Sequence, residues 1–176
     1  MKLLAISGSL RTASHNTAVL AAAKRLAPAD VAIDLFDGVG KLPFFNSDLE
    51  TPERLPEAVS AFRRIIGAAD GLLISSPEYA RGVSGVMKNA LDWLVGSYEF
   101  PGKPVALINT SPRATHALAA LILTLETMSA DMIRDASITL PLLGTANDAE
   151  SIVADPELAG PLRGALDKFA QAIRGR

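Results

Sequence analysis

The sequence predicts an α/β domain: a parallel sheet of five strands with helices on both faces. Three observations carry this. Short apolar runs alternate with longer segments of helical spacing, in the order β-α, five times along the chain. One run, Gly71–Ser75, is apolar on both faces, as a strand buried within a parallel sheet must be. The stretches after the first, third and fourth runs, beginning at Ser7, Ser75 and Thr110, are polar, as loops along one sheet edge would be.

The elements follow in order. Lys2–Ile6 reads as a central strand. Thr17–Leu26, rich in Ala and Leu at helical spacing, reads as a helix that Pro28 stops. Val31, Ile33 and Leu35 alternate with polar or small residues and predict the second strand. Residues 37–55 hold Gly38, Gly40, Pro43, Asn46, Asp48 and Pro52, a long loop of turn formers whose length suggests a functional surface. Pro56–Ala68 carries Val59, Phe62, Ile65 and Ile66 on one helical face. After the strand at 71–75 and the loop Ser75-Ser-Pro-Glu-Tyr, Gly85–Val95 is helical, with Val86, Ala90, Leu91 and Leu94 on one side. Pro104–Asn109 is the fourth strand, His116–Met128 a helix, Ala136–Leu140 the fifth strand and Pro156–Ile173 the last helix.

A chain of 176 residues fits a single domain, 1–176, with a well-filled core. Hydrophobic residues make up 49% and charged ones 20%, which excludes a disordered chain. The net charge of −2, with no basic block, gives no footprint for nucleic acid. The absence of Cys excludes a disulfide scaffold, an iron–sulfur cluster, a thiolate zinc site and a Cys nucleophile. The longest apolar run, Ala117–Leu123, is far short of a membrane span, and the N-terminus is polar too early for a signal peptide. A cytoplasmic protein that binds neither membrane nor nucleic acid is expected.

The chemistry concentrates in three loops, which the topology brings to the same sheet edge. In the first, Ser9, Arg11, Ser14 and Asn16 put hydroxyls, an amide and a fixed positive charge at the start of a helix. A helix N-terminus with free N–H groups is an anion site, and an Arg that grips two oxygens suits a phosphate. The loop lacks both the G-x-x-x-x-G-K-[ST] and the G-x-G-x-x-G patterns, so a single terminal phosphate is favoured over a triphosphate or a pyrophosphate. Ser14 taken alone is as well explained by a helix cap. In the second loop, Pro77 stiffens a backbone that would present N–H and C=O groups to the edge of a flat heterocycle, with Tyr79 packing on its face. Glu78 suits a cap or a surface charge as well as a ligand contact, and Trp93 reads as plain core. Arg81, with no local partner, is a candidate for the phosphates of an incoming dinucleotide substrate. In the third loop, Ser111 and Arg113 are placed to bond a ring carbonyl or a reduced, negatively charged ring; the competing reading is a helix capped by Ser111 with Pro112 behind it. The two His, at 15 and 116, form no metal motif, and no G-x-S-x-G elbow supports a triad. A binding site without acid–base or nucleophilic machinery fits an enzyme whose cofactor does the chemistry.

Gly8-Ser-Leu-Arg-Thr-Ala-Ser-His-Asn resembles the G-S-x-R-x-x-S-x-N loop of the NADPH-dependent FMN reductases, a family that includes bacterial quinone, chromate and azo-dye reductases. Ser76-Pro-Glu-Tyr, with Gly85-Val-Met-Lys-Asn-Ala-Leu-Asp-Trp, is similar to that family's second signature, S-P-E-Y-N followed by G-x-L-K-N-A-x-D-W. The resemblance implies a flavodoxin-like three-layer fold with strand order 2-1-3-4-5. It implies that Ser9, Arg11, Ser14, His15 through its backbone, and Asn16 hold the phosphate of FMN, and that Pro77, Glu78, Tyr79 and Ala80 border its isoalloxazine. The loop from Ser111 would approach the same ring. NAD(P)H as co-substrate, a small-molecule electron acceptor and a homodimer or homotetramer are implied as well. Two departures stand out: Ala80 replaces the usual Asn, leaving only backbone contact there, and Ser-Pro-Arg-Ala replaces a common Gly pair in the third loop. The rival expectation is a flavodoxin-type electron carrier or a flavin-binding redox sensor. A carrier usually shows a strongly acidic face, which 17 basic against 19 acidic residues do not suggest.

Overall fold

The structure, a computed structural model, describes residues 1–142 and 148–176. Its parallel sheet is built on β1 (Lys2–Ser7), β2 (Ala32–Phe36), β3 (Gly71–Ser75) and β6 (Pro104–Asn109), in the order β2-β1-β3-β6. Both faces of the inner strands are covered. All five residues of β3 and all six of β6 are buried, whereas β2, at the edge, alternates exposed Ala32 and Asp34 with buried Ile33. On one face, α1 (His15–Leu26), α5 (Ala149–Ala154) and α6 (Pro156–Arg174) pack Val19, Leu20, Ile152, Leu162, Leu166 and Phe169 against Leu3, Ala5 and Leu73. On the other, α2 (Glu57–Ala68), α3 (Gly85–Val95) and α4 (Thr115–Thr127) pack Phe62, Ile66, Trp93 and Leu125 against Leu4, Ile6, Leu72 and Val105. Each such large apolar side chain contributes roughly 1.5–3 kcal/mol when fully buried. No helix among the described residues is long and apolar enough to cross a membrane.

The fifth position of the sheet differs from the expected continuous strand over 136–140. It is two short pieces, β7 (Asp131–Met132) and β8 (Ile138–Thr139), both parallel to β6 and separated by a 3-10 turn at Arg134–Ala136. The turn removes the backbone acceptor that Leu107, buried in β6, would otherwise use. Ser137 replaces it: its Oγ accepts from Leu107 N at 3.0 Å and donates to Ile133 O at 3.2 Å. A buried N–H is thus satisfied by a side chain where the ladder is broken. A second difference is the stretch after β3, expected as an open loop. It folds into a hairpin of β4 (Glu78–Tyr79) and β5 (Gly82–Val83). α5 has no counterpart in the sequence reading; Asp148 caps it by accepting from Ser151 N at 2.8 Å.

The long segment 37–55 contains two 3-10 turns and lies against α3. Asn89 accepts from Phe45 N (2.8 Å) and donates to Pro43 O (3.0 Å), and Trp93 Nε1 donates to the same carbonyl at 2.7 Å. Arg63 donates to Glu50 and, twice, to Trp93 O. Trp93 is fully buried and structural, as its place on the helix suggests.

Candidate functional site

The site begins where β1 ends. Gly8 N donates to Ser75 O at 2.8 Å, closing the β1–β3 ladder. A Cβ on Gly8 would lie 2.4 Å from Ser76 Oγ and 2.8 Å from Ser76 Cβ, so only glycine lets the first and second loops cross this closely. From there the chain enters α1 through a series of hydroxyl turns. Ser7 Oγ accepts from Ser9 N, Ser9 Oγ from Arg11 N and Ser14 Oγ from Thr17 N. Ser14 is therefore the N-cap, and α1 starts two residues earlier than periodicity alone suggests. Because Ser9 and Ser14 use their oxygens as acceptors, each keeps its O–H to donate.

What this leaves is a donor array. The N–H groups of His15 and Asn16 have no acceptor among the described residues, and the first turn of α1 carries no acidic residue. The guanidinium of Arg11 forms no ion pair among the described residues and stands exposed at the rim. A helix N-terminus with unused N–H groups and an unpaired Arg beside it favours an anion.

Asn16 plays a different part from a simple ligand. It is buried, and its Oδ1 accepts from Ser75 Oγ (2.9 Å) and from Thr110 Oγ1 (3.3 Å), tying the ends of three loops together. With Oδ1 so engaged, what Asn16 can offer a ligand is its amide NH2 and its backbone N–H.

The second loop forms the opposite wall. Ser76 Oγ lies 3.3 Å from Ser84 Oγ at the base of the hairpin, and Tyr79 is 52% exposed, its ring available to stack. The turn residues Ala80 and Arg81 have φ of 49° and 61°. Two successive left-handed residues between paired strands form the type I′ turn that matches strand twist. This gives a backbone reason for the Asn common at position 80 in the resembled family, since Asn tolerates that conformation better than Ala. Ala80 and Arg81, at the hairpin tip, are not among the residues that line the cleft, unlike Pro77, Glu78 and Tyr79.

The third loop completes the cleft. Asn109 donates to Ser111 O at 2.7 Å and accepts from Ser111 N at 3.3 Å, folding the chain back at the end of β6. Ser111 Oγ accepts from Arg113 N and does not cap α4, whose N-cap position is Ala114. The helix is capped from a distance instead: Glu78 Oε2 accepts from Ala117 N at 2.9 Å. Arg113 is exposed and, like Arg11, forms no ion pair among the described residues.

The three loops enclose an open cleft of about 320 Å³. Ser9, Arg11, Ser14, His15 and Asn16 line one end, and Ser111 and Arg113 line the cleft with the second loop. Ser76, Asn109, Thr110 and Ala114 line it too and were not singled out from the sequence. The signal for Asn109 and Thr110 was present: a polar pair ending an otherwise apolar strand marks the sheet edge. Such a cleft fits FMN: hydroxyl, amide and guanidinium donors at one end for a dianion, and stiff backbone with an available aromatic ring towards the other.

Comparison with known proteins gives the family and the fold. The family model for NADPH-dependent FMN reductases matches residues 1–140. A 2-hydroxy-1,4-benzoquinone reductase of a Burkholderia species is 43% identical over 114 residues, 63% of this chain and 61% of that one. An NAD(P)H-dependent FMN reductase of Pseudomonas aeruginosa is 43% identical over 113 residues, 63% of this chain and 60% of its own length. The chain thus spans about three fifths of the length of these relatives. Among solved structures, the flavoenzyme NAD(P)H:(acceptor) oxidoreductase FerB of Paracoccus denitrificans superposes with a TM-score of 0.81 at 31% identity, covering 99% of this chain and 97% of that one. The fold is flavodoxin-like, and with the family model extending from β1 through β8 the chain belongs to the NADPH-dependent FMN reductase family.

Proposed function

We propose that the chain is an FMN-dependent oxidoreductase that takes reducing equivalents from NAD(P)H and passes them to a quinone or a related acceptor, such as free flavin, an azo compound or a metal oxyanion. One observation carries the reading: two helix N-termini line the same cleft, and only one of them already holds a carboxylate. Each leaves its first two N–H groups without an acceptor among the described residues, but α4 carries the negative charge of Glu78 on Ala117 N, while α1 has only the neutral Ser14 cap, no acid in its first turn and Arg11 beside it. A phosphate therefore favours the α1 end, and the ring of the same ligand lies towards Tyr79 and Ser111.

FMN, when bound, supplies two-electron chemistry, accepting hydride and passing electrons on. The chain's part is to hold and orient it. Arg11 and the O–H groups of Ser9 and Ser14 bind the phosphate; the His15 and Asn16 N–H groups share the charge. Pro77 and Tyr79, with the 111–114 segment, would border the ring. Arg113 would supply positive charge beside the ring. Arg81, outside the cleft at the hairpin tip, supports a contact with the incoming dinucleotide rather than with FMN. The reading extends to a homodimer or homotetramer; the outward, exposed Leu123 of α4 and Phe44 of the pinned 37–55 segment support it.

The test is direct. The purified chain should be yellow, with flavin absorbance, and should oxidise NADPH or NADH steadily with benzoquinone. A chain that neither retains FMN nor turns over refutes the proposal. One that holds FMN without turnover is the electron carrier or sensor.

A further inference from the structure

We propose that Glu78 is a positioning residue: its carboxylate clamps the β4–β5 hairpin onto the N-terminus of α4 and so fixes both walls of the cleft's ring end. The α4 helix needs a cap and lacks a local one. Its N-cap residue is Ala114, its first turn holds no acid, and Ser111 Oγ is turned to Arg113 N. Glu78, 39 residues earlier, fills the gap through Ala117 N.

The hairpin in turn does not hold itself. Each strand has two residues, and a lone two-stranded hairpin is marginal in water. Its turn places two residues with side chains at positive φ, a conformation that L side chains disfavour. Such a turn persists where it is over-determined from outside. Val83 of β5 packs against the core, and the polar ties are the Ser76–Ser84 hydroxyl contact at the base and the Glu78 carboxylate on α4. Glu78 is half-buried, and among the described residues no Lys or Arg pairs with it. Its partner is the helix terminus. Breaking the bond releases Pro77–Tyr79 on one side and the start of α4 on the other. The clamp stands on protein contacts alone; its effect on FMN rests on the function proposed above.

The experiment compares wild type, Glu78→Ala and Glu78→Gln without ligand, by amide hydrogen exchange, and then titrates each with FMN by flavin-fluorescence quenching. Gln keeps an oxygen that can accept from Ala117 N. In E78A the Ala117 amide and those of 78–83 should exchange about tenfold faster, and FMN affinity should fall about tenfold, the loss expected of one charge-assisted bond. E78Q should recover most of both. Should E78A fail to fold, Glu78→Asp, one methylene short of Ala117, takes its place. Unchanged Ala117 exchange, uniform acceleration across all helices, or an E78Q variant as impaired as E78A overturns the clamp. Wild type that binds no FMN overturns the functional reading, while exchange at Ala117 still decides the clamp.

Discussion

Ser75, the last residue of β3, donates its hydroxyl to Asn16 Oδ1 on α1 at 2.9 Å, across 59 residues of sequence. Thr110 Oγ1 reaches the same oxygen at 3.3 Å, so one buried amide joins all three cleft loops. Replacing Asn16 by Ala strands two hydroxyls and should destabilise the fold by about 2–3 kcal/mol, read by urea denaturation. Asn16→Asp keeps the acceptor but sets a carboxylate beside the phosphate end. It should fold near wild type and lose FMN affinity; an N16D variant with wild-type affinity would contradict the anion assignment.

Arg11 faces the cleft without an ion-pair partner among the described residues, so removing it disturbs little else. Arg11→Ala should leave the melting temperature unchanged and weaken FMN binding by roughly 1.5–3 kcal/mol, one charge-assisted hydrogen bond. Riboflavin, which lacks the phosphate, should bind both proteins alike. Equal loss for the two ligands would place Arg11 elsewhere than at the phosphate.

Ala80 sits at φ 49° with a Cβ that conformation disfavours. Ala80→Asn, which tolerates left-handed backbone, should raise stability by about 0.5–1 kcal/mol, measured as a higher midpoint in denaturant. A lowered midpoint would show that the turn is not strained by Ala.

Asp30 accepts from Arg174 at 2.5 Å, tying the end of α6 to the loop before β2. That bond holds its carboxyl below the ordinary value of 3.8. A lowered folded value means stability that is complete above the ordinary carboxylate range and lost as pH falls through the folded one. Asp30→Asn should flatten the acid limb of the stability curve and leave the fold's response near neutral pH unchanged. An acid limb identical to wild type would remove Asp30 from the account.

The layered fold was legible because period and burial agree. Leu72, Leu73 and Ile74 are apolar whichever face they serve, and β2 alternates because it lies at an edge. Of the strand expected over 136–140 only Ile138–Thr139 pairs with β6, because Arg134–Ala136 form a tight turn bridged by Ser137, and no periodicity records a hydroxyl standing in for a backbone acceptor. In the cleft, Ser9, Arg11 and Ser14 announced themselves by type and place. Glu78 and Asn16 were visible as polar residues, but their partners, Ala117, Ser75 and Thr110, are distant in sequence and become neighbours only after the sheet forms. The φ values at Ala80 and Arg81 were hidden for the same reason: neither residue advertises a left-handed turn.

The divided strand beside β6 bears on how the sheet resists extension by a foreign strand at that edge. An open sheet ends in a row of unused N–H and C=O groups that invites a foreign strand to dock. Here that border consists of two pairs of residues, 131–132 and 138–139, with a tight turn between them. Neither piece is long enough to template a continuous ladder, and Ser137 already consumes the donor exposed at the break. The interruption costs the sheet some regularity and gives it an outer margin poorly suited to fibril-like growth.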